Sequence, residues 1–170
     1  MRILEGDEAK EALEWFDKTA EVASRSLCLR ALCGSIIVKA GRLLGKGFNS
    51  PPQNNAHFRT CLNEYDIPAG FRHDRTCCIH AEQRAIENAL KNGSDVSGSR
   101  IYFVAVDREG NKIFATEMKC TICSRAVLDA GIAEFAFYAA EGVRVYDPAE
   151  VDVLSYEHKT PVIVGASHPS

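Results

Sequence analysis

Two stretches of this sequence decide how its fold is interpreted: CCIHAEQRAI at residues 77–86 and CTICSRA at residues 120–126. In each stretch, cysteine or histidine comes just before a helical repeat of small and apolar residues, so both stretches are predicted to begin a helix. Free backbone N–H groups and the helix dipole at such a position favour thiolate over thiol. The sequence therefore predicts two helix N-termini that present metal-ligating side chains.

The ligand types in these stretches match those of a catalytic zinc ion. His80, Cys120 and Cys123 supply three ligands and leave the fourth tetrahedral position for water, which is the catalytic rather than the structural pattern. Zinc lowers the pKa of such a water to about 7. Glu82 lies two residues after the histidine, where its carboxylate is expected to reach that water and move protons without binding the metal.

Each part of this pattern has a simpler interpretation when taken alone. A Cys-x-x-Cys pair is common in structural zinc sites and in redox proteins, and a single histidine such as His80 is usually a core or surface residue. A structural zinc ribbon needs a second spaced pair, which the adjacent Cys77 and Cys78 do not supply. A redox pair usually follows the first strand of a thioredoxin-like fold, whereas this pair follows several predicted elements. The combination therefore favours catalytic zinc.

The remaining sequence predicts helices and strands in the order α-β-β-α-β-α-β-α. An apolar stripe from Ala9 to Leu27 predicts a long first helix. The other predicted elements are strands at 35–38, 43–48, 100–106 and 133–138, and helices at 81–90, at 120–130 and from residue 147. This order predicts helices packed on a central mixed sheet. Residues 49–77 are predicted to be a loop insertion, because they are too long for a routine connection.

Composition predicts one domain that binds a small ligand. The 170 residues are 46% hydrophobic and contain no internal repeat, so residues 1–155 are predicted to be a single domain followed by a C-terminal tail at 156–170. The net charge of −3, without a basic stripe, makes nucleic acid an unexpected partner. No signal peptide or membrane span is expected, and the odd count of seven cysteines predicts reduced thiols in the cytoplasm.

The order of these motifs resembles the cytidine deaminase superfamily. Further segments are similar to its deoxycytidylate deaminase branch, namely CLR at 28–30, GSIIV at 34–38 and GFNSPP at 47–52. The resemblance covers about residues 19–138 and implies a three-layer α/β/α sandwich with a five-stranded mixed sheet. It also implies a zinc-dependent hydrolytic deaminase that releases ammonia from a cytosine nucleotide such as dCMP, and a homo-oligomer, either a dimer or a hexamer.

The resemblance also assigns roles to individual residues. It implies that His80, Cys120 and Cys123 hold zinc and that Glu82 carries protons. The predicted substrate-binding residues are Asn49, Ala81 and Lys119. Family members usually have proline just before the first motif cysteine, where this chain has Lys119. A lysine there either meets an anionic group of the ligand or points to solvent.

The loop insertion contains enough thiols for a second metal ion. Members of the deoxycytidylate deaminase branch sometimes have a second, structural zinc. The candidate ligands here are Cys28, Cys61, Cys77 and His73, together with Cys78 and His57, and Cys61 and Cys77 are the first choices. In the alternative interpretation, Cys28 packs in the core and the loop thiols are free.

Other functions remain open on the sequence alone. Within the superfamily, the substrate is alternatively guanine, cytidine or a modified pyrimidine, and a tRNA adenosine deaminase would show a basic face. A different class is an inactive deaminase-like binding module. Glu82 separates this class from the enzymes, because an inactive module has little reason to keep a proton carrier beside the metal.

Overall fold

Seven strands form one mixed sheet in residues 1–61, 77–115 and 120–157, the part of the chain that the computed structural model describes. The strands are β1 (Arg2–Ile3), β2 (Leu32–Lys39), β3 (Arg42–Phe48), β4 (Arg100–Val106), β5 (Lys112–Ile113), β6 (Glu134–Ala139) and β7 (Gly142–Tyr146). Their order is β1-β7-β6-β4-β2-β3, and β5 pairs with the end of β4. Only the β4–β6 pair is parallel among these described strands.

Helices cover both faces of this sheet. They are α1 (Gly6–Ala23), α2 (Ala81–Lys91), α3 (Thr121–Asp129) and α4 (Pro148–Glu157). The α1 helix packs on one face, and α2, α3 and α4 pack on the other. The predicted α/β/α sandwich with a mixed sheet is therefore confirmed.

Alternation along the central strands produces two separate apolar layers. In β2, Ile36 and Val38 belong to the cluster beneath α1, while Ile37 belongs to the cluster beneath α2 and α3. In β4, Tyr102 faces α1 and Ile101 faces the opposite side. Successive side chains of a strand point to opposite faces, so a strand buried on both faces is apolar throughout.

The structure departs from the predicted elements in three places. The sheet has the expected five strands of five or more residues, but β7 was not recognised in the sequence, and β1 and β5 have only two residues each. The α1 helix ends at Ala23, four residues before the predicted end at Leu27. The Ser24 hydroxyl donates to the Ala20 carbonyl at 3.0 Å, a local bond that competes with continued helix. The α4 helix runs to Glu157, past the predicted domain boundary at residue 155.

Strand β3 lies directly against α2 because it has glycine where the two backbones meet. A Cβ atom at Gly47 would lie 2.4 Å from the Ala81 carbonyl oxygen and 2.5 Å from the Ala85 nitrogen. Such distances leave no room for a side chain, so glycine permits the close approach. The first turn of α2 is thereby placed beside the end of β3.

Across residues 1–61, 77–115 and 120–157, no helix combines the length and the apolar character needed to cross a membrane.

Candidate metal centre

A β-bridge between Ser50 and Ile79 precedes His80, the first candidate ligand. Ser50, two residues after β3, pairs with Ile79 through two hydrogen bonds, from Ile79 N to Ser50 O at 3.0 Å and from Ser50 N to Ile79 O at 3.3 Å. His80 follows at once as the N-cap residue of α2, and its backbone N–H donates to the Gln83 side chain at 3.3 Å. The histidine ring therefore sits where β3 ends and α2 begins.

The second and third candidate ligands lie at the N-terminus of α3. Cys120 is the N-cap residue, and its sulfur accepts a hydrogen bond from the Cys123 backbone nitrogen at 3.3 Å. Cys123 lies in the first turn and is buried. A backbone N–H aimed at sulfur favours the thiolate form, which is the metal-binding form of cysteine.

The structure brings His80, Cys120 and Cys123 together. The His80 Nδ1 atom lies 3.1 Å from Cys123 Sγ and 3.2 Å from Cys120 Sγ, and the two sulfurs are 3.0 Å apart. Among the residues that the structure describes, these three are the only group of potential ligands whose donor atoms all lie within 4.8 Å of one another. A tetrahedral zinc places such donors about 3.5–3.8 Å apart, so small side-chain rotations would fit the ion.

The three side chains of this group shift one another's pKa values. The hydrogen bond with the Cys123 thiol lowers the pKa of Cys120 to about 4, and His80 adds to the effect. The same hydrogen bond, together with burial, raises the pKa of Cys123. The bond to Cys120 in turn raises the pKa of His80. A cation in place of these shared protons would neutralise both sulfurs, so the donor set suits a divalent metal.

Glu82 completes the centre as a buried carboxyl group. Its exposed fraction is 6%, and Cys120, His80 and Cys123 all influence its pKa. Burial, reinforced by repulsion from the Cys120 thiolate, raises the pKa of Glu82 to about 6. A carboxyl group with this pKa can both accept and donate a proton near neutral pH.

Asn49 lies at the end of β3 with its side-chain amide tightly held. The Asn49 Oδ1 atom accepts from the Cys33 backbone nitrogen at 2.8 Å and from the Ser26 hydroxyl at 2.7 Å, while Nδ2 donates to the Ala31 carbonyl at 2.8 Å. One amide hydrogen remains for a ligand. The structure places Ala81 as the buried first residue of α2.

Two residues that support this arrangement were missed in the sequence. Ser26 orients Asn49, and Arg84 donates from Nη2 to the Pro51 carbonyl at 2.8 Å, which ties the chain after β3 to α2. The partner of Ser26 is 23 residues away, so no local pattern marks it. Arg84 stands inside the CCIHAEQRAI stretch, but the motif alone does not say what it contacts.

Four further cysteines, Cys28, Cys61, Cys77 and Cys78, influence one another's ionisation. The Thr60 backbone nitrogen donates to Cys77 Sγ at 3.3 Å. Burial opposes the ionisation of Cys28 and Cys77, yet hydrogen bonds from neighbouring backbone and thiol groups lower the pKa of both. Burial raises the pKa of Cys78 to about 12. The pKa values within this cluster of four cysteines are therefore shifted in both directions.

Two predicted site residues lie outside the described part of the chain. They are His73, a candidate ligand of the second zinc, and Lys119, a candidate substrate contact. Among the described residues, the candidate ligands of the second zinc are Cys28, Cys61, Cys77, Cys78 and His57, and they stay candidates.

Sequence and structure comparisons identify relatives of this chain. The family model for the "Cytidine and deoxycytidylate deaminase zinc-binding region" matches residues 9–139. The chain is 29% identical over 129 residues to the deoxycytidylate deaminase of Saccharomyces cerevisiae, which covers 72% of this chain and 36% of that protein. It is 29% identical over 120 residues to ComE operon protein 2 of Bacillus subtilis, which covers 71% of this chain and 54% of that protein.

A solved structure gives a similar result. The crystal structure of dCMP deaminase from the cyanophage S-TIM5 in complex with dCMP and dUMP has 28% sequence identity and a TM-score of 0.50. That match covers 74% of this chain and 79% of the phage chain.

The fold and the site together define the class of the protein. A mixed α/β sandwich that presents one histidine and two cysteines at adjacent helix N-termini has the donor set of a zinc-site protein. The chain belongs to the cytidine and deoxycytidylate deaminase family, whose zinc-binding region matches residues 9–139. It spans 36% and 54% of the length of the two curated relatives described above.

Proposed function

We propose that this chain is a zinc-dependent hydrolytic deaminase that acts on a cytosine nucleotide such as dCMP and releases ammonia. The observation that carries the proposal is the buried Glu82 carboxyl group beside the group formed by His80, Cys120 and Cys123. Burial of a carboxylate is unfavourable unless the group is paired or used. This position suits a proton carrier and has no evident purpose in an inactive binding module.

The residues of the centre divide the reaction between them. His80, Cys120 and Cys123 would hold the zinc, which supplies hydroxide near neutral pH by lowering the pKa of bound water to about 7. Glu82 takes a proton from the water and delivers it to the ring nitrogen of the cytosine. The hydroxyl group adds to the ring carbon that bears the amine. Glu82 then takes the remaining proton of that hydroxyl group and gives it to the amine, so that a C=O bond forms as the C–N bond breaks. Water and the cytosine nucleotide are consumed, and the uracil nucleotide and ammonia are formed.

The proposal of a nucleotide substrate is supported by the names and the bound nucleotides of similar proteins. The yeast relative is a deoxycytidylate deaminase, and the phage relative was crystallised with dCMP and dUMP. The predicted contacts of Asn49, Ala81 and Lys119 with the substrate stay predictions. The homo-oligomeric state and the cytoplasmic location stay predictions as well.

The substrate prediction is a preference for the 5′-monophosphate. We expect kcat/KM for dCMP to exceed that for deoxycytidine by at least about tenfold, because a bound phosphate adds charge-assisted hydrogen bonds worth more than 1.4 kcal/mol. Ammonia release from purified protein measures both values, with cytidine, guanine and adenosine in tRNA as comparison substrates. Equal values for dCMP and deoxycytidine would reject the monophosphate preference, and ammonia release from guanine alone would reject the cytosine assignment.

We also propose a second, structural zinc at the thiol cluster of Cys28, Cys61, Cys77 and Cys78. Its support is the set of four cysteines that influence one another's ionisation, because four cysteines are a common donor set of structural zinc. Elemental analysis is expected to find about two zinc ions per chain, and Cys77→Ser is expected to remove one of them. Cys33→Ser is the control, because Cys33 is outside the cluster. One zinc per chain in both the unmodified protein and the Cys77 variant would exclude the second site.

A further inference from the structure

Helix α4 contacts the N-terminal turn of α3 through a cluster of polar side chains. The Ser124 hydroxyl donates to Asp152 Oδ1 at 2.8 Å and also lies 2.9 Å from the Thr121 carbonyl. The Ser155 hydroxyl lies 2.6 Å from the Asp152 carbonyl and 3.1 Å from the Thr121 hydroxyl. The two serine hydroxyls are 3.4 Å apart. Two residues of α3 and two of α4 therefore share one hydrogen-bonded network.

Both serines of this network are buried, and Thr121 and Asp152 are half-buried. Each serine hydroxyl also has a carbonyl acceptor within its own helix, Thr121 for Ser124 and Asp152 for Ser155. The contact with the Asp152 carboxylate is therefore the bond that links Ser124 to the neighbouring helix. The bond between Ser124 and the Asp152 carboxylate is charge-assisted and therefore stronger than a neutral one.

The position of the network relates it directly to the metal centre. Thr121 follows Cys120 at the first position of α3, and Ser124 follows Cys123. The α3 helix has nine residues, and its buried Val127 anchors the following turn in the core. The first turn, which carries both sulfur ligands, is held to the rest of the protein by its bonds to α4 and by the ligand group itself.

We infer that α4 is a positioning element of the metal centre and that Asp152 is the residue through which it acts. Asp152 keeps Ser124 in place, and Ser124 keeps the backbone of the first α3 turn in the position at which both sulfurs face His80. The inference rests on the proposed zinc centre. It predicts that loss of the Asp152 acceptor loosens zinc binding, in the way that residues orienting metal ligands usually do.

The test measures how fast zinc leaves the purified holoprotein when a chromogenic chelator is added in excess. Asp152→Ala is expected to release the zinc of this centre about 10–100 times faster than the unmodified protein. Asp152→Asn keeps an oxygen acceptor for Ser124, so its zinc release rate is expected to stay within about threefold of that of the unmodified protein. The phase that belongs to this centre is identified as the one missing in Cys120→Ala.

Two control variants separate ligand positioning from general loss of stability. Leu154→Ala removes a partly buried side chain of α4 that packs on the core without joining the network, and it is expected to lower Tm with little change in zinc release. Glu150→Ala removes another α4 carboxylate, whose ion pair with the N-terminal amine is exposed, and zinc release should stay unchanged. Ser155→Ala is a milder network variant, expected to speed release about threefold or more, and it serves if Asp152→Ala does not fold.

The outcomes distinguish this inference from the proposed function. The positioning role is overturned if Asp152→Ala releases zinc at the rate of the unmodified protein. It is also overturned if Asp152→Ala releases zinc no faster than Leu154→Ala when both variants lose the same amount in Tm. Asp152→Asn that is as fast as Asp152→Ala overturns the role of the hydrogen bond. An unmodified protein that binds no zinc in the phase removed by Cys120→Ala overturns the metal centre itself, which is a failure of the proposed function.

Discussion

Glu82→Gln is expected to lower kcat for deamination by about 10²–10⁴-fold while the zinc content stays unchanged. Glutamine keeps the size of the side chain but cannot take a proton from water or return one to the leaving amine. Glu82 is buried next to the sulfur ligands without belonging to their group, so the metal should bind as before. Steady-state ammonia release and elemental analysis on the same preparation measure the two quantities.

Glu87→Gln is the matched control for this experiment. Glu87 is an exposed carboxylate on the same helix, where it pairs with Lys91 at 3.4 Å, so its loss should leave kcat unchanged. If Glu82→Gln keeps full turnover, another residue carries the protons and the proposed mechanism is wrong. If it loses both zinc and turnover, Glu82 acts on the metal site rather than on the substrate.

Cys123→Ala is expected to abolish detectable deamination and to remove one zinc ion per chain. Loss of one of three protein ligands weakens the site, and zinc with two protein ligands is not a stable catalytic arrangement. The substitution shortens a buried side chain by one atom, so the fold should survive. Zinc content by elemental analysis and ammonia release are the measurements, and far-ultraviolet circular dichroism reports the fold.

Cys33→Ala is the cysteine control for this prediction. Burial raises the pKa of Cys33 to about 12, so it remains a thiol, and it is not one of the three grouped ligands. The variant should keep its zinc and its turnover. A Cys123→Ala protein that retains the full zinc content would mean that the ion is held elsewhere, and the centre described here would not be the metal site.

Local sequence was enough to predict that His80, Cys120 and Cys123 come together as a possible metal site, with Glu82 beside them. His80 and Glu82 are two residues apart, and Cys120 and Cys123 are three apart, so one helix turn determines how each pair is presented. Helix periodicity and the apolar runs likewise predicted α2, β4 and β6, because both signals depend on neighbours within a few residues. The strand β7 was not predicted, because its five residues lie between a turn and the start of a helix and are too few to show a clear alternation of apolar and polar residues.

The contacts that hold the site together were decided only in the folded chain. Asn49 and Ser26 are 23 residues apart, and Ser124 and Asp152 are 28 apart, so each pair meets only after the sheet and helices have packed. Serine and aspartate are common on protein surfaces, and nothing local marks these two pairs as buried partners. By contrast, the chemistry of the ligands is a property of their residue types and spacing. The sequence therefore determined which groups are candidates for the chemistry. The tertiary structure decided which groups hold them in place, because hydrogen bonds over long separations require a formed core.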